Sequence, residues 1–374
     1  MERIDHELPW GLPGTRRQLS VFRFGTGTGT GTRKAYLQAS LHADELPGMR
    51  VAVELKRRLA ELEAEGRLTG CIELVPVANP IGLGQVLQAT HLGRFEFTSG
   101  RNFNRGFVDL ATQIESGLEG RLGDDADANR TTIREAMQAA LHQLPPAASE
   151  LEGLQRLLLT HACDADLVLD LHCDLEAAVH LYCLPQHAAS LAGLSARLGA
   201  AAVLTAEESG GSSFDEACSL PWLRLARRFP QASIPLACVA STVELGGVAD
   251  TDRPLSEARA EAILAVLAEH GLIDGDWPAA PPALCEPTPF EGTELLYPPH
   301  AGVVSFLQPA GARVRAGEPL FEVIDPLSDR HSTVCATVDG VLFARERTRF
   351  AQPGLWLAKV AGREPIRQGR LLSD

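Results

Sequence analysis

The chain has 374 residues, 45% of them hydrophobic and 22% charged, with a net charge of −14. That is the composition of a soluble globular protein with room for one large domain and a smaller one. Acidic residues outnumber basic ones 48 to 34, which argues against a nucleic-acid or anionic-membrane partner, because both need clustered cations. No apolar run approaches the roughly 20 residues of a membrane helix, and Met1 to Ser20 has no signal-peptide core. The 8 cysteines include no C-x-x-C pair, so a cytoplasmic, reducing setting is expected, with neither a disulfide framework nor a zinc ribbon.

Residues 18–24 and 33–40 read as strands. The GTGTGTGT run between them, Gly25 to Thr32, lacks the Lys-Ser/Thr and helix start of a phosphate loop and reads as a hairpin connection. Met49, Val53, Leu55, Leu59 and Leu62 recur near 3.6 spacing and predict a helix from Pro47, which suits a first turn, to about Glu65. Residues 70–78 form a continuous apolar run, as a buried parallel strand does. Asn79 to Gly106 has no sustained period and reads as a long functional loop. Helices near 128–143 and 150–162 lead into a buried strand, 165–172, then strands at 179–185, 200–205 and 235–243 with helices between them. Such alternation predicts an α/β fold, a mostly parallel sheet with helices on both faces. Ligands gather at the carboxyl ends of such strands, and His42, Asn79, His172 and Glu244 all fall at or just past them. The Pro/Ala-rich stretch 276–289 reads as a linker. From Gly292 to Val360, short alternating strands with Gly/Pro turns predict a small all-β domain. The expected division is 1–278 and 284–374.

Four elements carry chemistry. His42 and Glu45, three apart after a strand, can place a ring nitrogen and a carboxylate on one side of a tight turn, and zinc takes such ligands at about 2.0–2.2 Å. His172 ends a buried strand, where it is placed to be a third ligand. Asp170 shares its side of that strand and can accept from the ring. Glu244, after an apolar strand, would be partly buried, which raises a carboxyl pKa and suits general base work. Asn104 and Arg105, in GRNFNRGF, could clamp a carboxylate. Taken singly, each has an ordinary reading: a solvated loop, a structural strand-end histidine, a capping glutamate, two solvated arginines. No G-x-S-x-G is present, which opposes a serine hydrolase.

LHADELPG, RNFNR, LDLHCD and TVELGG follow one another in a known order, and over about residues 15–275 the chain resembles the succinylglutamate desuccinylase/aspartoacylase family. The resemblance implies a zinc carboxypeptidase-like fold and one Zn2+ per chain on His42, Glu45 and His172. It also implies Glu244 as general base and acid, and Asn104 and Arg105 as holders of a substrate carboxylate. The family uses a further arginine to polarise the scissile carbonyl. Arg94 and Arg101 are both candidates, with Arg101 provisionally in the catalytic role and Arg94 beside the substrate. The activity so implied is hydrolysis of an N-acyl amino acid or related small amide. The neighbouring readings are a zinc carboxypeptidase acting on short peptides and a non-catalytic small-molecule binding protein; self-association stays open. Cys173 and Asp174 depart from the family's small or hydroxyl residues, and with Glu176 and His180 beyond they hint at a cationic group on the substrate. The C-terminal segment resembles the two quasi-repeated halves of a biotinyl/lipoyl domain. Its central hairpin, Asp325 to Ser332, has no lysine, and the only lysine of that domain is Lys359. A swinging arm is therefore not expected, and a role at the active-site mouth or in an oligomer contact is.

Overall fold

The structure is a computed structural model that describes residues 1–25, 32–369 and 371. Most of the Gly25–Thr32 run, and with it the expected hairpin connection, lies outside the described residues. Among the described residues, no helix is long and apolar enough to cross a membrane.

Nine strands form one mixed sheet: β1 (Glu2–Glu7), β2 (Gln18–Phe24), β3 (Lys34–Ala39), β4 (Cys71–Val75), β5 (Leu167–Asp174), β6 (His180–Cys183), β7 (Ala202–Thr205), β8 (Val239–Gly247) and β9 (Pro287–Pro289). Their spatial order is β1-β2-β4-β3-β5-β8-β6-β7-β9. The centre, β4-β3-β5-β8, is parallel. β6 joins β8 antiparallel, and β1 and β2 pair antiparallel at the other end. Helices cover the two faces, chief among them α1 (Leu46–Ala64), α2 (Ala126–Gln143), α3 (Glu150–Ala162), α4 (Ala192–Leu198), α5 (Phe214–Arg228) and α6 (Arg253–Glu269). On one face α1, α4 and α6 bury Leu55, Leu59, Leu194 and Ile263 against Leu167, Leu169 and Leu171 of β5. On the other, α2, α3 and α5 bury Met137, Leu158, Phe214 and Trp222 with Val168. This alternation along β5 sends Asp170, His172 and Asp174 to the α5 side.

Several boundaries differ from expectation. β8 begins at Val239 and runs to Gly247, so Glu244 stands inside the strand and not after it. β5 likewise continues two residues past His172. The polar run Glu2–Glu7 is a strand lying along β2. Its ERIDHE sequence carries no apolar run, because most of it faces solvent. The long loop 79–106 holds a one-turn helix, Pro80–Leu83, and a small hairpin of Val86–Leu87 with Thr90–His91. β9 lies within the stretch read as a linker and pairs parallel with β7.

From Thr293 onward the chain forms antiparallel strands: β10 (Thr293–Leu296), β11 (Gly302–Phe306), β12 (Arg313–Val314), β13 (Pro319–Ile324), β14 (His331–Cys335), β15 (Gly340–Arg345), β16 (Phe350–Ala351) and β17 (Ala358–Gly362). They make two sheets, β10-β17-β15-β12 and β14-β13-β11-β16, closed on Val304, Leu320, Phe321, Val323, Leu342 and Val360. The lysine-free tip lies between β13 and β14, where Ile324 pairs with His331. This region is joined to the large sheet just beyond β5. There Ala177 pairs with Ala344 of β15, and Glu176 binds Arg345 at 2.7 Å and Arg349 at 2.6 Å.

Candidate active site

The end of β3 turns sharply. Ser40 takes a left-handed backbone conformation, φ 61°, which costs a non-glycine residue of the order of 1 kcal/mol. Its hydroxyl donates to Glu45 O at 3.1 Å, and Glu45 N–H donates to His42 O at 3.1 Å. The turn thereby folds His42 and Glu45 onto one side before α1 begins. Asn79, just past β4, donates to Leu41 O at 2.9 Å and ties that turn to the next loop. A second tie joins the backbones: Ala43 N–H donates to Gly93 O at 3.0 Å. A Cβ on Gly93 would come within 2.3 Å of Asp44 N, so only glycine permits this approach. It carries the neighbouring Arg94 to the site.

His42, Glu45 and His172 are buried, and their donor atoms lie within 4.8 Å of one another. His42 Nδ1 is 2.9 Å from Glu45 Oε1, and His172 Nδ1 is 2.7 Å from Glu45 Oε2. The remaining nitrogens face outward. His42 Nε2 is 2.8 Å from Asn102 Oδ1, an acceptor, so that nitrogen carries the hydrogen. His172 Nε2 is 2.9 Å from Asp170 Oδ2, close enough for charge pairing although no aligned hydrogen bond reaches that oxygen. Asp170 is itself held by Gln38 at 2.9 Å, and Gln38 by the Tyr36 hydroxyl at 2.9 Å.

This arrangement fits a divalent cation. With its hydrogen on Nε2, His42 turns a lone pair toward a carboxylate oxygen 2.9 Å away. Two acceptors that face each other need positive charge beside them. Arg94 supplies some, with Nη1 at 3.2 Å from His42 Nδ1 and 3.4 Å from Glu45 Oε1. Burial, then Arg94, pushes the His42 pKa down to about 4. Burial opposes the Glu45 charge, but His42 and His172 hold its carboxyl well below the usual range. A neutral imidazole and an ionised carboxylate are the states a metal requires. Burial also disfavours a charged His172, but Asp170 and Glu45 outweigh it and raise its pKa.

Glu244 pairs in register with His172 across β5 and β8. Val243 and Leu245 enter the α1-side core, so Glu244 faces the α5 side, as His172 does. Its Oε2 is buried with no hydrogen-bond partner. Burial, then the Glu45 and Asp174 charges, push its pKa up to about 8. His42, Glu45, His172 and Glu244 line one cavity of about 320 Å3, together with Arg94, Asn104, Arg105, Asp174 and Asp215. Asn104 is fixed by accepting from Phe214 N–H at 2.8 Å. Arg105 donates to Asn104 O at 2.7 Å and lies so close to Gly211 that a Cβ there would meet its Cδ at 2.5 Å. Asp215, at the start of α5, is pushed up to about 6 by burial and by Glu216.

Arg101 is exposed and does not line the cavity, so of the two candidate arginines it is Arg94 that meets His42 and Glu45. The expected acidic hint also dissolves. Asp174 is bound by Lys359 at 2.7 Å, Glu176 by two arginines, and His180 is buried against Phe343. Asn102 was not singled out from sequence; its signal was only its place as the first asparagine of RNFNR.

A model of the succinylglutamate desuccinylase/aspartoacylase catalytic domain matches residues 31–270. Among solved structures, a family protein from Shewanella amazonensis is 26% identical, with 96% of this chain and 98% of that one covered and a TM-score of 0.81. A second, from Shewanella frigidimarina, is 23% identical over 96% and 97%, with a TM-score of 0.82. The product-bound ectoine utilization protein EutE (DoeB) from Ruegeria pomeroyi shares the fold at 18% identity over 96% and 94%, with a TM-score of 0.65. A search of curated proteins gives no match. The matched domain is one of deacylase-type hydrolases. The chain belongs to the succinylglutamate desuccinylase/aspartoacylase family.

Proposed function

We propose that the protein is a zinc-dependent hydrolase that cleaves the amide bond of a small N-acyl amino acid or related compound. One observation carries this reading: two imidazoles turn their Nδ1 atoms onto the two oxygens of a single buried carboxylate, beside a second carboxyl, Glu244, with an unpartnered oxygen. His42, Glu45 and His172 would hold the zinc, with Asn102 and Asp170 orienting the rings from behind. When bound there, zinc supplies Lewis-acid polarisation of the amide carbonyl and acidifies a water.

The chain's own groups do the rest. Glu244 accepts a proton from the attacking water and returns it to the leaving nitrogen. Burial and the neighbouring Glu45 charge raise its pKa, which favours handing the proton on in the second, acidic half of that cycle. Arg94, against His42 and Glu45, is placed to stabilise the developing oxyanion, and takes the role provisionally given to Arg101. Asn104 and Arg105 would hold the substrate carboxylate. A cavity of about 320 Å3 favours a small substrate over an extended peptide. The 8 cysteines are all unpaired, which supports the cytoplasmic placement.

The test is metal analysis with two variants. The wild type should carry about one zinc per chain, and His42→Ala should lose it. Glu244→Gln should keep the metal while hydrolysis falls by about 10²–10⁴-fold, the usual contribution of a positioned acid–base group. A wild type that retains no metal would leave only the binding-protein reading. A Glu244→Gln enzyme near the wild-type rate would remove Glu244 from the mechanism.

A further inference from the structure

One wall of the cavity comes from the C-terminal sheets. Phe290, Leu295, Trp356 and Lys359 all line it. Lys359 is one of three lysines in the chain. It sits on β17 opposite Leu295 on one side and Ala344 on the other. Strand β15 bulges there: Leu342 pairs with Val360 and Ala344 with Lys359, which leaves Phe343 as the extra residue. Bulges of this kind re-aim side chains beside active sites. The Lys359 ammonium lies 2.7 Å from Asp174 Oδ2, with the two side chains only 18% and 13% exposed. It also lies 4.1 Å from the centre of the Trp356 ring. Asp174 stands on β5 two residues beyond His172 and on the same face, and its other oxygen accepts from Leu175 N–H at 2.8 Å.

The balance of charge at this wall is therefore delicate. Asp44, Glu45, Asp174, Glu244 and Glu346 are among the acidic groups of the cavity, and Arg347 and Arg367 stand with Lys359 among its basic ones; Lys359 is the one paired with Asp174. An enclosed ion pair that satisfies itself offers nothing to a second charge. Any charged group brought against it must meet one like charge at short range and be stripped of water. Trp356, Leu295 and Phe290 supply apolar surface around it.

We infer that the Asp174–Lys359 pair is the specificity-determining element of the substrate's acyl subsite, and that it selects an uncharged acyl arm over one ending in a carboxylate or an ammonium. The inference rests on the hydrolase reading for its orientation, with the amino acid's carboxylate at Asn104 and Arg105. Unbalancing the pair should redirect the choice in a predictable sense. Lys359→Met leaves Asp174 alone, which favours a cationic arm and repels an anionic one. Asp174→Asn frees the ammonium and does the reverse.

The probes are N-acetyl-, N-succinyl- and N-β-alanyl-glycine, whose arms are neutral, anionic and cationic. Each is measured for turnover by the zinc-loaded protein and for binding to the Glu244→Gln variant. The wild type should prefer the neutral arm over both others by about tenfold or more. Lys359→Met should move the succinyl/β-alanyl ratio about tenfold one way, and Asp174→Asn about tenfold the other. The double variant Asp174→Asn/Lys359→Met, neutral again, should return the ratio to near the wild-type value, which guards against a single variant that merely folds poorly. A pair with only a structural role would change all three probes by the same factor. That result, or a wild type that does not discriminate among the arms in binding, would overturn the inference. Preserved binding selectivity without turnover or metal would instead sink the hydrolase reading and leave the selector standing.

Discussion

At the scale of single residues, hydrogen bonding decides which nitrogen faces where. Asn102 takes the Nε2–H of His42, which turns the other nitrogen inward; Asp170 sits behind His172. The residue types of the His42, Glu45 and His172 cluster and their spacing were legible in the sequence. The tautomer was not, because it depends on a side chain 60 positions away. The choice between Arg94 and Arg101 was equally hidden, since it is made by a backbone approach at Gly93 and not by either arginine. Far from the site, Glu73 of β4 shows how one charge can be held inside a sheet. It is 1% exposed and bound by Arg23 at 2.9 Å, by His161 at 2.9 Å and by Lys34 at 3.3 Å. Burial works against its charge, but the His161 hydrogen bond and the Lys34 charge prevail and bring its pKa down to about 2. A carboxyl with a depressed folded pKa stabilises above its unfolded value, about 4.3–4.5, and loses that contribution as pH falls toward 2. Relative to wild type, Glu73→Gln should lose roughly 3 kcal/mol at pH 7, and the gap should narrow steadily between pH 4.5 and pH 2. Urea unfolding across that range checks it. A gap that stays constant with pH would mean that Glu73 is not ionised in the fold.

At the scale of elements, the site is a matter of register. β5 and β8 lie side by side with His172 opposite Glu244, and period-two alternation turns both to the same face. The strands were readable as apolar runs, but their ends were not. Apolar runs mark where a strand is buried, and β5 and β8 continue past them through polar residues that line the cavity. β1 was missed for the opposite reason, as a mostly solvent-facing strand with almost no apolar signal. The loop that brings Arg94 depends on the close passage of Gly93 against Ala43 and Asp44. Gly93→Ala should therefore push this loop outward and reduce hydrolysis on the order of 10²-fold, as misplacement of about 1 Å can. Circular dichroism should stay near that of the wild type. Unchanged kinetics would show that Arg94 reaches the site without this contact.

At the scale of the whole molecule, the sequence showed two textures, a layered α/β part and a β-rich tail, but not how they meet. The meeting is made by long-range pairs: Ala177 with Ala344, Glu176 with Arg345 and Arg349, Asp174 with Lys359. Residues separated by 167 to 185 positions leave no local trace in a single sequence. The result is that the tail forms part of the wall of the same cavity as the histidines.

The short strand β9 has a consequence of another kind. Pro-Thr-Pro carries a single backbone N–H, so it can lie along β7 yet gives an incoming strand almost nothing to bond to, much as prolines blunt the open margin of natural sheets. Cleaving the chain after residue 278 would strip off that seal and bare the backbone of Ala202–Thr205, together with the buried Ala202 and Leu204 beneath Phe290. The shortened protein should stick to itself and sediment as aggregates. If it instead stays monodisperse by light scattering, β9 is dispensable as a stopper.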